Sequence, residues 1–204
     1  MARYRGPRLK IIRRFQQHLP GLTRKTAERR PYPPGQHGTS RSGKRSEYRI
    51  RLEEKQKLRL NYGLSEKQLR SYFKRAMAFK GDTGFRLLQL VESRLDNAVF
   101  RCGYAPTIPA ARQLVTHGHI QIDGKRVNIP SYHLVGGETV SVREKSRKIP
   151  LVEATTQNPV LESPSYLDID AAKFEAMCKG EPVREDIPVD LQENLIVEFY
   201  SQIV

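Results

Sequence analysis

The segment SRLDNAVFRCGYAPTIPAARQLVTHGHIQIDGKRVNIPSY, from Ser93 to Tyr132, restricts the fold more than any other part of the chain. Leu95, Ala98, Val99 and Cys102 recur at helical spacing, as do Ile108, Ala111, Leu114 and Val115, so each set predicts a short helix with one apolar face. Ser93, with Asp96 three residues on, and Thr107 stand where N-caps belong. Gly103 and Gly118 stand where a left-handed residue closes a helix. Beyond Gly118, the alternation in HIQI, the Asp123-Gly124 pair and the run KRVNI predict a β-hairpin, because Asp-Gly tolerates the positive φ angles of a tight two-residue turn. Arg94, Arg101, Arg112, Lys125 and Arg126 fall outside these apolar patterns and are expected on the surface of a two-helix, two-strand unit.

Charge narrows the function of such a unit. The 204 residues carry 36 Lys and Arg against 22 Asp and Glu, a net charge of +14. An excess of this size in a folded chain points to a polyanion, above all nucleic acid. It is unevenly spread: residues 1–80 hold 23 cations and 5 acids, whereas residues 151–204 hold 3 and 11. The N-terminal part is thus expected to face the polyanion and the acidic end to face elsewhere. Two cysteines, Cys102 and Cys178, offer no disulfide framework, and Cys102 lies on an apolar helix stripe, so it reads as core. The sequence has neither a long apolar run nor a hydrophobic leader, and a soluble protein of a reducing compartment is expected.

Residues 1–45 are rich in Arg, Lys, Pro, Gly and His, with Tyr4, Phe15 and Tyr32 interleaved. They read as an extended arm that orders along phosphates, with one packed turn at LPGL. Ser46 opens a helix that ends at Gly63. Ser65, with Gln68 completing a capping box, opens a second, which has Leu69, Tyr72, Phe73, Ala76 and Met77 on one face and Lys67, Arg70, Lys74 and Arg75 on the other. Gly81 to Gly84 reads as a connector and ETVSVR as a strand. Residues 144–167 are expected to be a loop region, 168–178 a short helix, and the end of the chain a helix bearing Leu191, Leu195 and Phe199, with Asp190 and Glu193 at its start.

Catalytic chemistry is not encoded by motif: GxSxG, a Walker loop and paired carboxylates are missing. His117-Gly118-His119 lacks both the i, i+4 spacing and the companion cysteines of a zinc site, so no metal and no cofactor are expected. Arg94-Leu95-Asp96 matches a tripeptide that carries the catalytic aspartate of pseudouridine synthases. Here it begins a helix, and Asp96 is expected to cap that helix together with Ser93.

The stretches RLDNAVFRCGY and AARQLVTHGHIQIDGKRVNIPSY resemble the RNA-binding motif named after the fourth ribosomal protein of the small subunit, a motif shared with several RNA-modifying enzymes. ARYRGPRLKIIRR with LPGLT, RSEYRIRLEEKQKLRLNYGLSEKQLRSYF and ENLIVEFYS extend the likeness to that ribosomal protein family itself, in its bacterial and plastid form. The resemblance implies an α+β fold, mostly a helical domain (46–92 with 186–204) into which an α+β RNA-binding domain (93–185, core motif 93–142) is inserted, two short helices packing on a small antiparallel sheet behind the basic arm. It implies a non-enzymatic structural constituent of the small subunit and a primary binder of 16S-type ribosomal RNA at a junction of 5′-domain helices. It further implies a part in assembly and translational accuracy, contact with small-subunit ribosomal protein five, and a position near the path of messenger RNA. The setting is the cytoplasm of a bacterium or the stroma of a plastid, with no membrane and no small-molecule substrate involved. Relatives that hold zinc use cysteines of the arm, and this chain has none before Cys102, so no zinc is carried over. Carried over by motif position, the RNA-binding residues are Arg94, Arg112, Gln113, His117, His119, Lys125 and Arg126, joined outside the motif by Arg3, Arg5, Arg13, Arg14, Arg49, Arg59 and Lys74. Two other readings use the same motif: an RNA-modifying enzyme and a free RNA-binding translational repressor.

Overall fold

The computed structural model describes residues 4–40 and 45–202. Its elements run α1 (Arg8–Phe15), α2 (Glu47–Asn61), α3 (Glu66–Met77), α4 (Thr83–Glu92), α5 (Leu95–Arg101), α6 (Ile108–Thr116), β1 (Ile120–Ile122), β2 (Lys125–Arg126), β3 (Thr139–Val142), α7 (Glu144–Arg147), α8 (Pro150–Gln157), β4 (Leu167–Asp170), β5 (Glu175–Cys178) and α9 (Glu193–Ser201). It is an α+β fold, with a helical part followed by a five-stranded antiparallel sheet in the order β2-β1-β3-β5-β4.

The helical part follows its local signals. Ser46 Oγ accepts the Arg49 amide, and Ser65 and Gln68 form the expected reciprocal box. Asp82 caps α4 through the amides of Gly84 and Phe85, so the Gly81 to Gly84 connector is also a helix start. Helix α9 packs on α2 and α4. It buries Ile196, Phe199 and Tyr200; of the expected Leu191, Leu195 and Phe199, Leu191 is buried just ahead of the helix and Phe199 within it, while Leu195 is half-buried. Tyr200 stacks on Phe73 at 4.8 Å between centroids and donates to Glu66 Oε1 at 2.8 Å.

The arm departs from the extended reading. Ile11, Ile12 and Phe15 form a buried face of α1, and Leu19 and Leu22 are buried beyond it. Burial stabilises by roughly 1.5–3 kcal/mol for each large apolar side chain, enough to hold a short basic helix against a core. At the expected LPGL turn, the Gly21 amide donates to Asn61 Oδ1 at 3.0 Å and the Gly21 carbonyl accepts the Ile108 amide at 2.8 Å. A Cβ on Gly21 would stand 2.8 Å from the Asn61 carbonyl oxygen, so only glycine lets the arm lie this close to the end of α2.

The expected hairpin forms with Asp123 and Gly124 both at positive φ, 48° and 75°, although its second strand is only two residues long. Ile120, Ile122, Val140, Val142, Ala176 and Cys178 turn inward and join the cluster that includes α5 and α6. Cys102 and Cys178 are both buried in it, as a core reading of Cys102 requires.

The segment after β3 corrects two expectations. Residues 144–167 contain α7 and α8 rather than a loop, with Pro150 at the first position of α8 and its Thr155 and Thr156 hydroxyls donating back to carbonyls of Leu151 and Val152. Residues 168–178 form the β4–β5 hairpin instead of a helix. Asp170 Oδ1 accepts the amides of Ala172 and Lys173, Phe174 takes a left-handed φ of 55°, and β5 pairs with β3 on its other side. Ladder formation on both sides of β5 outweighs the helix propensity of Ala171, Ala172 and Ala176.

Candidate nucleic-acid interface

Helix α5 does not begin with a Ser93 cap. Ser93 Oγ donates to the Gln89 carbonyl and finishes α4, while the first amides of α5, from Leu95 and Asp96, donate to the carbonyls of Tyr132 and Pro130. Asp96 is thereby free of capping and lies buried between two arginines. Arg94 Nε and Nη2 donate to its two carboxylate oxygens at 3.0 and 2.7 Å, and Arg112 Nε and Nη2 donate to Oδ2 at 3.0 and 2.7 Å. Arg94 also reaches the Tyr72 hydroxyl at 2.6 Å, and Arg112 the carbonyls of Gly63 and Tyr62.

This cluster changes the role of two residues expected to touch RNA. Arg94 is 2% exposed and drops out of the contact set. Arg112 spends its donors on Asp96 and on the loop after α2, so it positions the neighbouring surface more than it offers charge. Arg94-Leu95-Asp96 is accordingly structural: Arg94, together with Arg112 of α6, saturates the buried Asp96 carboxylate.

Several of the remaining residues converge although they are distant in sequence. A groove of about 650 Å³ between the arm and α6 is lined by Arg5, Arg8, Arg59, Arg112 and Gln113 over Leu22, Leu60, Leu64 and Pro109. A second, open concavity of about 1060 Å³ brings Arg14 and Arg49 together with His37 and Arg45 under the loop at 31–40. There Glu53 accepts from both Arg45 and Arg49, at 3.0 and 2.9 Å, and offsets part of their charge. Arg13 is an orienting residue: it donates to the Tyr32 carbonyl at 3.0 Å and lies 4.9 Å from the Tyr32 ring centre, holding this loop to α1. Arg3 lies outside the described residues.

At the hairpin end, Arg126 lies across Gly118 and donates to the His117 carbonyl at 3.3 Å; Gly118, at φ 74°, leaves the room that a Cβ would take. Lys125 is exposed beside it. His119 Nδ1 is 2.9 Å from Ser146 Oγ. Desolvation, then His117, Arg143 and Arg126, hold His119 below the ordinary histidine range. Lys74 is exposed on α3 beside Lys67, Arg70 and Arg75.

Arg8, His37, Arg45 and Arg143 belong to these surfaces but were not expected there. Arg8 was legible in principle, since Ile11, Ile12 and Phe15 share a helix face and α1 carries Arg8 onto the groove. The others depend on tertiary placement. Among the described residues, no three His, Cys, Asp or Glu side chains gather as a metal site.

The α+β unit with its flanking arginine-rich surface is that of an S4-domain protein of the RNA-binding class. Residues 93–140 match the S4 domain, and residues 3–92 match the Ribosomal protein S4/S9 N-terminal domain. The chain is 58% identical to the small ribosomal subunit protein uS4 of Trichormus variabilis over 203 residues, 99% of each chain. It is 56% identical to that of Synechococcus elongatus and 54% to that of Thermosynechococcus vestitus, again over 99% of each. It belongs to the uS4 family of small ribosomal subunit proteins.

Proposed function

We propose that the protein is a structural component of the small ribosomal subunit that binds 16S-type ribosomal RNA at a junction of 5′-domain helices and nucleates assembly there. The observation that carries this reading is the meeting of arginines from the arm and the end of α2 on one groove walled by α6, a placement that lets separate chain segments hold separate RNA strands. A-form helices hide their major-groove base edges, so a junction is recognised through phosphates, 2′-hydroxyls and shape, for which dispersed Arg and Lys are suited. The relatives carry the name of a ribosomal protein rather than of an enzyme. A contribution to accuracy, a place near messenger RNA and contact with small-subunit protein five belong to the same proposal.

Filter binding of the full chain to protein-free small- and large-subunit ribosomal RNA tests it. Preferential binding of the small-subunit RNA, weakening steeply with salt, is expected. Equal affinity for both RNAs would contradict it.

A further inference from the structure

The groove between the arm and α6 has two features that phosphate binding alone does not require. Its floor is apolar, formed by Leu60, Pro109 and Ala110 over the buried Leu22 and Leu64. The first amides of α6 are already engaged, Ile108 with the Gly21 carbonyl and Ala110 with Thr107 Oγ1, and the one carboxylate of the lining, Glu66, is held by Lys55 and Tyr200, so the positive potential comes from arginine side chains and not from a helix terminus. Tyr4 also lines the groove, as does Gln113, exposed on α6. At about 650 Å³ the groove falls within the ~300–1,000 Å³ range of small-ligand clefts. A paired RNA strand keeps its bases stacked inward and presents only its backbone to such a rim, which leaves the apolar floor without a partner.

We infer that this groove receives one unpaired nucleotide extruded from the bound RNA, its base resting on the Leu60, Pro109 and Ala110 floor and its phosphate meeting Arg5 and Arg59. The inference rests on the ribosomal RNA reading above and adds what enters the groove. Base recognition in RNA concentrates on unstacked nucleotides, which gain contact with apolar and aromatic surfaces and expose their Watson–Crick edges. The Gln113 side chain carries both a donor and an acceptor and suits such an edge. Arg112, fixed by Asp96 and by the carbonyls of Tyr62 and Gly63, holds the α6 wall to the end of α2 and so keeps the cleft open at a set width.

The test is chemical probing of protein-free small-subunit ribosomal RNA with and without the full chain, using base-specific reagents for Watson–Crick edges and hydroxyl radicals for the backbone. With the wild-type protein, the reactivity of one unpaired base should fall several-fold within the region of backbone protection. Gln113→Ala should restore that base's reactivity at protein concentrations that saturate the backbone footprint. Ala110→Phe, which fills the floor, should do the same; because Gln113 is exposed, its variant reports even if the bulkier substitution disturbs α6. Backbone protection with no base whose reactivity depends on either residue would overturn the inference and leave the RNA-binding reading standing. Absence of any protection would overturn both.

Discussion

At the scale of single residues, the molecule separates cations that hold the fold from cations that remain available to a ligand. Asp96 is 1% exposed and bound by two guanidinium groups, and removing one member of a buried charged cluster typically costs about 3–5 kcal/mol because the others are left uncompensated. Asp96→Ala should therefore lower unfolding free energy in urea by that order, and Arg112→Glu should destabilise at least comparably; a loss below about 1 kcal/mol for both would show the cluster to be dispensable. The same environment sets a pH dependence. Burial, then Arg75 and Arg94, push His133 down to about 4, against an ordinary value near 6.5. The unfolded chain thus takes up this proton first, so the associated stability is complete above about pH 6.5 and is lost as the pH falls towards 4. Comparing urea midpoints at pH 7.5 and 5, the wild-type protein should lose more than His133→Gln; equal losses would mean that His133 contributes nothing to the acid limb.

At the scale of elements, α1 turns a basic arm into part of the core. Phe15→Ala should cost about 3 kcal/mol and expose the arm to trypsin at Arg13 and Arg14, measured by limited proteolysis; undiminished protection would indicate that α1 is held by other contacts. Elements with strong local signals were legible in the sequence: the capping boxes and caps at Ser46, Ser65 and Thr107, the closing Gly103 and Gly118, and the Asp123-Gly124 turn all act as their chemistry dictates. Those decided by partners were not. The arm's apolar residues are too few to form a core of their own and bury in the shared core, to which Asn61 and Ile108 tie Gly21. Residues 168–178 become strands because β3 offers an open edge, a fact invisible in DIDAAKFEAMC itself. The site follows the same rule: motif spacing placed Gln113, Arg126 and Lys125 on the surface, but it could not show that Arg94 and Arg112 turn inward, since that depends on Asp96 being released from capping by the carbonyls of Pro130 and Tyr132.

At the scale of the whole molecule, one continuous core joins the arm, the helical part and the sheet, so cations distant in sequence keep fixed relative positions. A rigid array of this kind suits a junction whose helices must be held at set angles. If Arg5 and Arg59 each contact a phosphate, Arg59→Ala and Arg5→Ala should weaken binding to small-subunit ribosomal RNA and each reduce the slope of log affinity against log salt by about 0.7–0.9. Arg13→Ala should act differently, loosening the loop at 31–40 through loss of the Tyr32 contacts. The most direct measurement of the central claim is a hydroxyl-radical footprint of the full chain on protein-free small-subunit ribosomal RNA. Protection confined to the strands of one 5′-domain junction, and weakened across it by Arg59→Ala, is the predicted result; protection scattered over unrelated helices, or none, would contradict it.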